Sequence, residues 1–329
     1  MKKILSLILA SILLILSLSS CSQEEDAGYF VRTQRNEMGR LSVSLARDTK
    51  DGEKLTEAEL NSIYEEACAT FEKAYSFLSD GEGNPLSTLN SPVNAVFDIN
   101  KDLLKEITDA IKLSDLTDGR YEPCAGSLTS LLKADSAPTD EMLTDALSHI
   151  GKDKFEFSGT EAKKLDAKAS IDFGAYRDGY ALQSVCEFLG ESACAYGTVT
   201  FNGIAGVFGE KPDGELFKIE IGDGADGTFN ISDGYVALVS KNFGTSYDYS
   251  DGVLTPALEK AAVYAADAKV CAVIASVGYV HGADVLLDLY EKEDLSFEAV
   301  LTERNGKEIF TKNADGTNLY TPITTARSE

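Results

Sequence analysis

The chain has 329 residues, with 54 acidic against 30 basic side chains and a formal net charge of −24 at neutral pH. That balance argues against a nucleic-acid binder, whose partner demands a basic surface, and against broad contact with anionic lipid headgroups. With 43% hydrophobic residues, the length suits one large domain or two small ones around a sizeable core, and an acidic surface keeps a secreted protein soluble.

The first residues read as a targeting segment. Met1-Lys2-Lys3 is a short basic start, Ile4 to Leu18 is apolar, and Leu18-Ser19-Ser20-Cys21 has a small-residue cleavage pattern ending in cysteine. This resembles a bacterial lipobox. Cleavage before Cys21 and acylation of its thiol would remove residues 1–20 as a lipoprotein signal peptide and leave a lipid anchor instead of a transmembrane helix. The alternative is an ordinary signal peptide with a chance cysteine. Residues 21–27 then form a lipidated, polar tether and 28–329 the folded domain, anchored at the extracytoplasmic face of the cell membrane. The remaining cysteines, Cys68, Cys124, Cys186, Cys194 and Cys271, show no metal-ligand spacing. Their odd number rules out complete pairing, and their apolar settings make them small buried hydrophobes.

Along the domain, Tyr29 to Ala46 should contain the first strand, with Leu41, Val43 and Leu45 alternating against serines. Thr56 to Leu78 reads as a long helix opened by a Thr56/Glu59 capping box, followed by a loop over Ser79 to Pro92. Asn100 caps a helix through Lys112. Thr139 starts another, which Gly151 ends. Lys152 to Ala169 reads as a hairpin. Ala195–Phe201, Phe217–Ile221, Tyr235–Val239, Val270–Val280 and Phe297–Leu301 are expected strands. Asn305-Gly306 marks a hairpin turn between the last of these and Glu308–Thr311. Early helices, late strands and no βαβ alternation imply an α+β fold, a single domain with a largely antiparallel or mixed sheet.

The stretch the chain is organised around is Ser170 to Leu189. An apolar run (Ile171, Phe173) breaks on Gly174 and Gly179 and closes as a helix bearing Ala181, Val185 and Leu189. A strand that enters a helix through glycines can aim backbone N–H groups at a phosphate; the plain alternative is a tight turn. Asp172-Phe173-Gly174-Ala175-Tyr176-Arg177-Asp178-Gly179-Tyr180-Ala181 resembles the D-L-G-G-I-A-K-G-Y-A core of the FAD:protein FMN transferases, the ApbE thiamine-biosynthesis lipoproteins. The similarity runs from about Met38 to Tyr290. The family's M-G-T is similar to Met38-Gly39-Arg40. Its x-F-D-P is similar to Arg120-Tyr121-Glu122-Pro123, and its N-x-G-G-D falls on Thr200-Phe201-Asn202-Gly203-Ile204. Its T-S-G-x-Y resembles Val239-Ser240-Lys241-Asn242-Phe243, and its A-D-A-L-S-T resembles Ala283-Asp284-Val285-Leu286-Leu287-Asp288.

The resemblance implies a Mg²⁺-dependent transfer of FMN from FAD to a threonine or serine of an acceptor flavoprotein of the cell envelope. It implies Met38, Tyr121, Glu122, Gly174, Gly179, Tyr180, Gly203 and Ser240 at the flavin. Asp284 and Asp288, four apart on one helix face, would hold Mg²⁺. Asp178, in the place of the family's lysine, takes the catalytic station with Arg177, which supplies a positive charge, and with His281 beside the acidic helix. The other histidine, His149, reads as structural at a helix end. The family's histidine and aspartate in H-I-I-D-P fall on Gly252 and Thr255. Their replacement keeps a second reading open, a degenerate relative that holds flavin or acts as a membrane-anchored scaffold. A lipid-anchored solute-binding protein is a third, disfavoured by the missing two-lobe βαβ pattern.

Overall fold

A computed structural model of the chain describes residues 28–322 apart from 135–136, 223–226, 245, 247, 251, 253–254 and 315–318. Cys21 and the signal segment therefore lie outside the described residues. The chain opens with the hairpin β1 (Tyr29–Asn36) and β2 (Gly39–Ala46), then α1 (Glu57–Phe77) and the short α2 (Pro85–Asn90). Next come β3 (Val96–Asp98), α3 (Lys101–Leu116), α4 (Gly126–Leu132), α5 (Asp140–Ser148), and the hairpin β4 (Phe155–Ser158) and β5 (Glu161–Lys164). The central helix α6 (Ala175–Glu191) leads into β6 (Tyr196–Phe201), β7 (Ile204–Gly209), β8 (Phe217–Ile221), β9 (Gly227–Ile231), β10 (Tyr235–Ser240) and β11 (Lys260–Ala265). Helices α7 (Ala268–His281) and α8 (Ala283–Tyr290), then β12 (Glu298–Thr302), β13 (Glu308–Phe310) and β14 (Tyr320–Pro322), complete it.

Eight strands form one sheet in the order β1-β2-β6-β7-β10-β11-β12-β13, and two three-stranded sheets, β14-β9-β8 and β3-β5-β4, flank it. The pairings of the large sheet are antiparallel, so the fold is α+β as expected. Period-two alternation divides its surfaces. Leu41, Val43, Leu45, Val199 and Ala237 face the core that α1, α6 and α7 cover. Val207, Val236, Ala262 and Val300 face a second core closed by Phe217, Ile221, Phe229 and Ile231 of the small sheet.

Local signals explain the ends of these elements. Thr56 and Glu59 make the full reciprocal capping box of α1. Asn100 and Thr139 cap α3 and α5 through their side chains. Asn305-Gly306 joins β12 to β13, whose Thr302 and Glu308 are paired.

Four expectations change. Val270–Val280 is the buried helix α7, not a strand. Asp267 caps it through its carboxylate, and it is apolar all round, with Cys271, Val273, Ile274 and Val277 buried. A helix buried on every side lacks the polar stripe that would reveal its period, and an apolar run longer than about ten residues favours helix over strand. Ile171 to Phe173 does not join a sheet. It runs extended beside the 122–126 loop, bonded through Asp172 N to Pro123 O and Gly126 N to Ser170 O. The first strand is a hairpin of two, and the loop before Pro92 contains α2. All five cysteines of the domain are unpaired and buried, as read. Among the described residues no helix is long and apolar enough to cross a membrane.

Helices α6 and α7 pack closely against each other within the helical layer. A Cβ on Gly179 would lie 2.4 Å from the Ala268 carbonyl oxygen, so this glycine sets the helix separation. Gly179→Ala should cost about 2 kcal/mol of stability through overpacking, read as a lower urea midpoint at unchanged slope.

Candidate active site

The N-terminal turn of α6 carries a network of charged and polar side chains. Gly174, at φ +52°, turns the chain into the helix, and its N–H donates to Asp172 Oδ1 at 3.1 Å. The other Asp172 oxygen accepts from Thr129 Oγ1 at 2.7 Å and pairs with Lys133 at 2.5 Å. Burial by itself would raise the Asp172 carboxyl, but the Lys133 ammonium, Arg177 and the Thr129 hydroxyl together hold it below its ordinary value.

Arg177 lies 3.9 Å from Asp172 and 3.8 Å from Asp178, with its guanidinium 4.5 Å from the centre of the Tyr75 ring. One cation thus faces two carboxylates and an aromatic face. Asp178 is only 2% exposed and its Oδ2 accepts from Asn202 Nδ2 at 2.6 Å. Asn202 and Gly203, both at positive φ, are the two turn residues of the β6–β7 hairpin, because Phe201 pairs directly with Ile204. This is the Asn-Gly turn chemistry of a tight hairpin. The Asp178 carboxylate therefore locks that turn to the start of α6.

The residues that the resemblance assigns to flavin occupy several different settings. Tyr121 is buried; its hydroxyl donates to Phe173 O at 3.1 Å, and its ring stacks on Tyr176 and meets Tyr249 edge-on. Glu122 accepts from Cys124 N at 2.8 Å, and burial raises its carboxyl. Gly174 has the Tyr249 hydroxyl as its neighbour, and Gly179 is occupied by helix packing. Tyr180 is half-buried beside Phe77. Met38 sits at the β1–β2 turn, its N–H on Asn36 Oδ1 at 3.0 Å. A Cβ on Gly203 would lie 2.5 Å from Leu238 O. The Ser240 hydroxyl accepts from Asn242 N at 3.3 Å at the end of β10.

Among the described residues Asp284 and Asp288 share no hydrogen bond or ion pair with this network. Asp284 and Asp288 are exposed on α8, one helical turn apart. Asp284 lines a cavity of about 440 Å³ with Ala257, His281, Glu303 and Arg304. Gly174 and Gly179 are not among the residues lining it. His281 ends α7; burial pushes its pKa below the ordinary 6.5, and its Nε2 is enclosed with no hydrogen-bond partner. Among the described residues no three His, Cys, Asp or Glu side chains gather as a metal site. Gly252, in the place of the family's histidine, is at φ +73° and packs on Leu128 and Leu143. His149 is structural: it caps the end of α5 and bonds Asp166 at 2.7 Å. Sequence reasoning passed over Asp172, Lys133, Thr129, Tyr75 and Asn202 as site residues. Of these, Asp172 opens the D-L-G-G-like motif and Asn202 stands in an Asn-Gly dipeptide, while Lys133, Thr129 and Tyr75 carried no local signal.

Comparison with known proteins follows the same outline. A sequence profile described as the ApbE family matches residues 40–294. The FAD:protein FMN transferase of Haemophilus influenzae is 25% identical over 235 residues, covering 67% of this chain and 65% of that protein. The chain thus spans slightly less than two thirds of that relative's length. The solved flavin transferase ApbE from Vibrio cholerae superposes with a TM-score of 0.73 at 16% identity, covering 86% of this chain and 97% of that one. The apo flavinyl transferase ApbE of Pseudomonas stutzeri gives 0.73 at 18% identity, with 89% and 98% covered. The ApbE protein of Thermotoga maritima gives 0.73 at 19%, with 87% and 97% covered. At these identities the structures establish a shared fold.

Two outcomes follow from the geometry. Asp178→Lys puts a second cation beside the enclosed Arg177 and should cost about 3 kcal/mol or more. Arg177→Ala on that background should recover part of the loss, giving a coupling of about 1 kcal/mol or more in a double-mutant cycle of urea unfolding. His281 has a depressed pKa in the folded state, so the unfolded chain binds its proton more tightly. Its stabilising contribution is complete above about pH 6.5 and is lost as pH falls through the folded value. His281→Gln should flatten that part of a melting-temperature profile.

Proposed function

The chain belongs to the ApbE family, matched over residues 40–294, and on that footing we propose that it transfers FMN from FAD to a threonine or serine hydroxyl of an acceptor flavoprotein. The observation that carries this reading is the family match, extending over most of the domain and held on the same fold. In the reaction the acceptor oxygen bonds to the flavin-side phosphorus, the bond from that phosphorus to the bridging oxygen breaks, AMP departs, and the hydroxyl proton passes to water or a base.

Such a transfer calls for cationic and N–H donors at the pyrophosphate and a fixed acceptor. The Gly174 bend offers the start of α6, with Arg177 and Lys133 flanking it. Asp178 is enclosed, so its part is positional: it orients Arg177 and fixes the Asn202-Gly203 turn. The donor chemistry of α8 fits Mg²⁺, a hard cation commonly held by one or two carboxylates with substrate phosphates and waters completing its shell. Asp284 and Asp288 would hold it, and when bound it would supply charge neutralisation on the phosphate oxygens.

We further propose export and lipidation at Cys21, which places the domain at the extracytoplasmic face of the membrane with acceptors in the cell envelope. The buried Asp178 in place of the family's lysine, and Gly252 in place of its histidine, favour a second reading in which the fold retains flavin without turnover.

Incubation with FAD, Mg²⁺ and an acceptor flavoprotein should leave covalent FMN on the acceptor. Purified protein that is yellow yet leaves the acceptor unmodified would select the second reading. Calorimetry of FAD with and without Mg²⁺ should show tighter binding with the ion, and Asp284→Ala should abolish that difference. Cys21→Ser should move the protein from the membrane fraction to the soluble fraction and remove labelling by a palmitate analogue.

A further inference from the structure

Strand β1 forms one end of the large sheet, and among the described residues no strand pairs with its outer edge. The β1–β2 register fixes which groups point there. Asn36 pairs with Gly39 across the two-residue turn at Glu37 and Met38, and Arg47 N donates to Gly28 O at 3.3 Å at the other end of the hairpin. Even-numbered residues of β1 therefore turn their backbone groups to β2, and the N–H and C=O of Val31, Thr33 and Arg35 point away from the sheet.

Side chains alternate across the same strand. Arg32 and Gln34 lie on the α1 side, where Arg32 pairs with Glu57 at 3.5 Å and Gln34 donates to Glu72 at 2.7 Å. Thr33 and Arg35 lie on the opposite face and are exposed. Arg35 stands directly across from Arg40. Like charges so placed destabilise a hairpin, and in a chain of net charge −24 carboxylates are plentiful. Yet among the described residues neither guanidinium has an ion pair or a side-chain hydrogen bond, whereas Arg32, Arg47, Arg120 and Arg304 all have partners.

This edge also leads to the candidate site. The Arg35 end of β1 is the end at which β6 passes into the Asn202-Gly203 turn, since Leu41 pairs with Phe201. The Phe201 ring meets Tyr75 at 5.8 Å, and Tyr75 carries the Arg177 guanidinium. A strand added to β1 would lie three strand spacings from β6, roughly 15 Å, which about five extended residues span.

We propose that the β1 edge docks the acceptor protein by strand addition, taking an extended segment with an acidic residue opposite Arg35. Backbone groups of Val31, Thr33 and Arg35 supply the ladder, and side chains at alternate positions set the choice of segment. On the outer face a carboxylate at Arg35 makes a charge-assisted bond and relieves the repulsion from Arg40. On the α1 face the intervening residues come beside Glu57 and Glu72, so they are neutral or basic. The segment thus alternates, and a run of consecutive acids is excluded. Repulsion from the rest of the acidic chain is screened beyond about 8 Å at physiological ionic strength. That the segment belongs to an FMN acceptor rests on the transferase reading; that the edge takes an acidic strand does not.

Fluorescence anisotropy of labelled octapeptides with the full chain tests the edge. A peptide alternating glutamate and threonine should bind about tenfold more tightly than one of the same composition with its glutamates consecutive. Arg35→Glu should weaken binding about tenfold or more, with Arg35→Lys recovering part of the loss. Its melting temperature should be unchanged or higher, because position 35 then attracts Arg40. Thr33→Pro removes an outward N–H and leaves the β1–β2 ladder its bonds, and it should weaken binding as much. Val31→Pro serves if that variant misfolds. In FMN transfer, Arg35→Glu and Thr33→Pro should raise the acceptor KM about tenfold with kcat and FAD affinity unchanged. Equal peptide binding by these two variants, no preference for the alternating peptide, or a dimer of this chain that both variants dissolve would overturn the proposal. Arg35-dependent peptide binding without any FMN transfer would support the edge and count against the transferase reading.

Discussion

The close approach of α6 and α7 is the constraint on which the remaining architecture depends. A backbone carbonyl at Ala268 occupies the space a side chain on Gly179 would need. The two helices therefore press together and then, as one layer, onto β7, β10 and β11. From that layer the N-terminus of α6 is aimed at the β6–β7 turn, and α7 ends where α8 begins. Glycine acts here by its small size: at Gly179 the backbone is ordinary helix, and the effect is steric.

Upon that frame sits a polar cluster in which one guanidinium is shared. Arg177 contacts two carboxylates and an aromatic ring at once, and Asp172 divides its oxygens among a helix N–H, a hydroxyl and an ammonium. Such a cluster is well satisfied only as a whole, because removing one member leaves a partner charged and enclosed. An aspartate at position 178 is tolerable because an arginine precedes it. Against the Ala-Lys pair of the family pattern, Arg177-Asp178 keeps one positive charge, moves it one residue earlier and adds a negative one, so the start of α6 is one unit less positive.

Much of the fold was legible from the chain. The capping box at Thr56, the Asn100 and Thr139 caps, the Asn305-Gly306 turn and the alternation of Leu41, Val43 and Leu45 are local signals, and each acts locally in the structure. The failures have separate physical causes. Helix α7 hides its period because every side of it is apolar, and Ile171 to Phe173 alternates without pairing because a neighbouring loop takes up its backbone groups. The Asn202-Gly203 pair was seen only as an eroded motif, although it is a hairpin signal in its own right. At the site, motif order placed the stations along the chain but not in space. Tyr121 and Glu122 are absorbed by packing and by local backbone bonds, and Lys133, Thr129 and Tyr75 come together only through tertiary contact.

The five enclosed thiols bear on the export proposed for this chain. Each is sealed in the finished fold; burial raises the pKa of the Cys186 and Cys271 thiols, and thiolate is the species that reacts. During biogenesis that shielding does not yet exist. A chain emerging on the oxidising side of a membrane would expose an odd set of reactive sulfurs to oxidoreductases and to one another. Under the export proposed above, maturation would be a race between compaction and mispairing, in which burying Cys186 and Cys271 would protect them without any covalent cross-link.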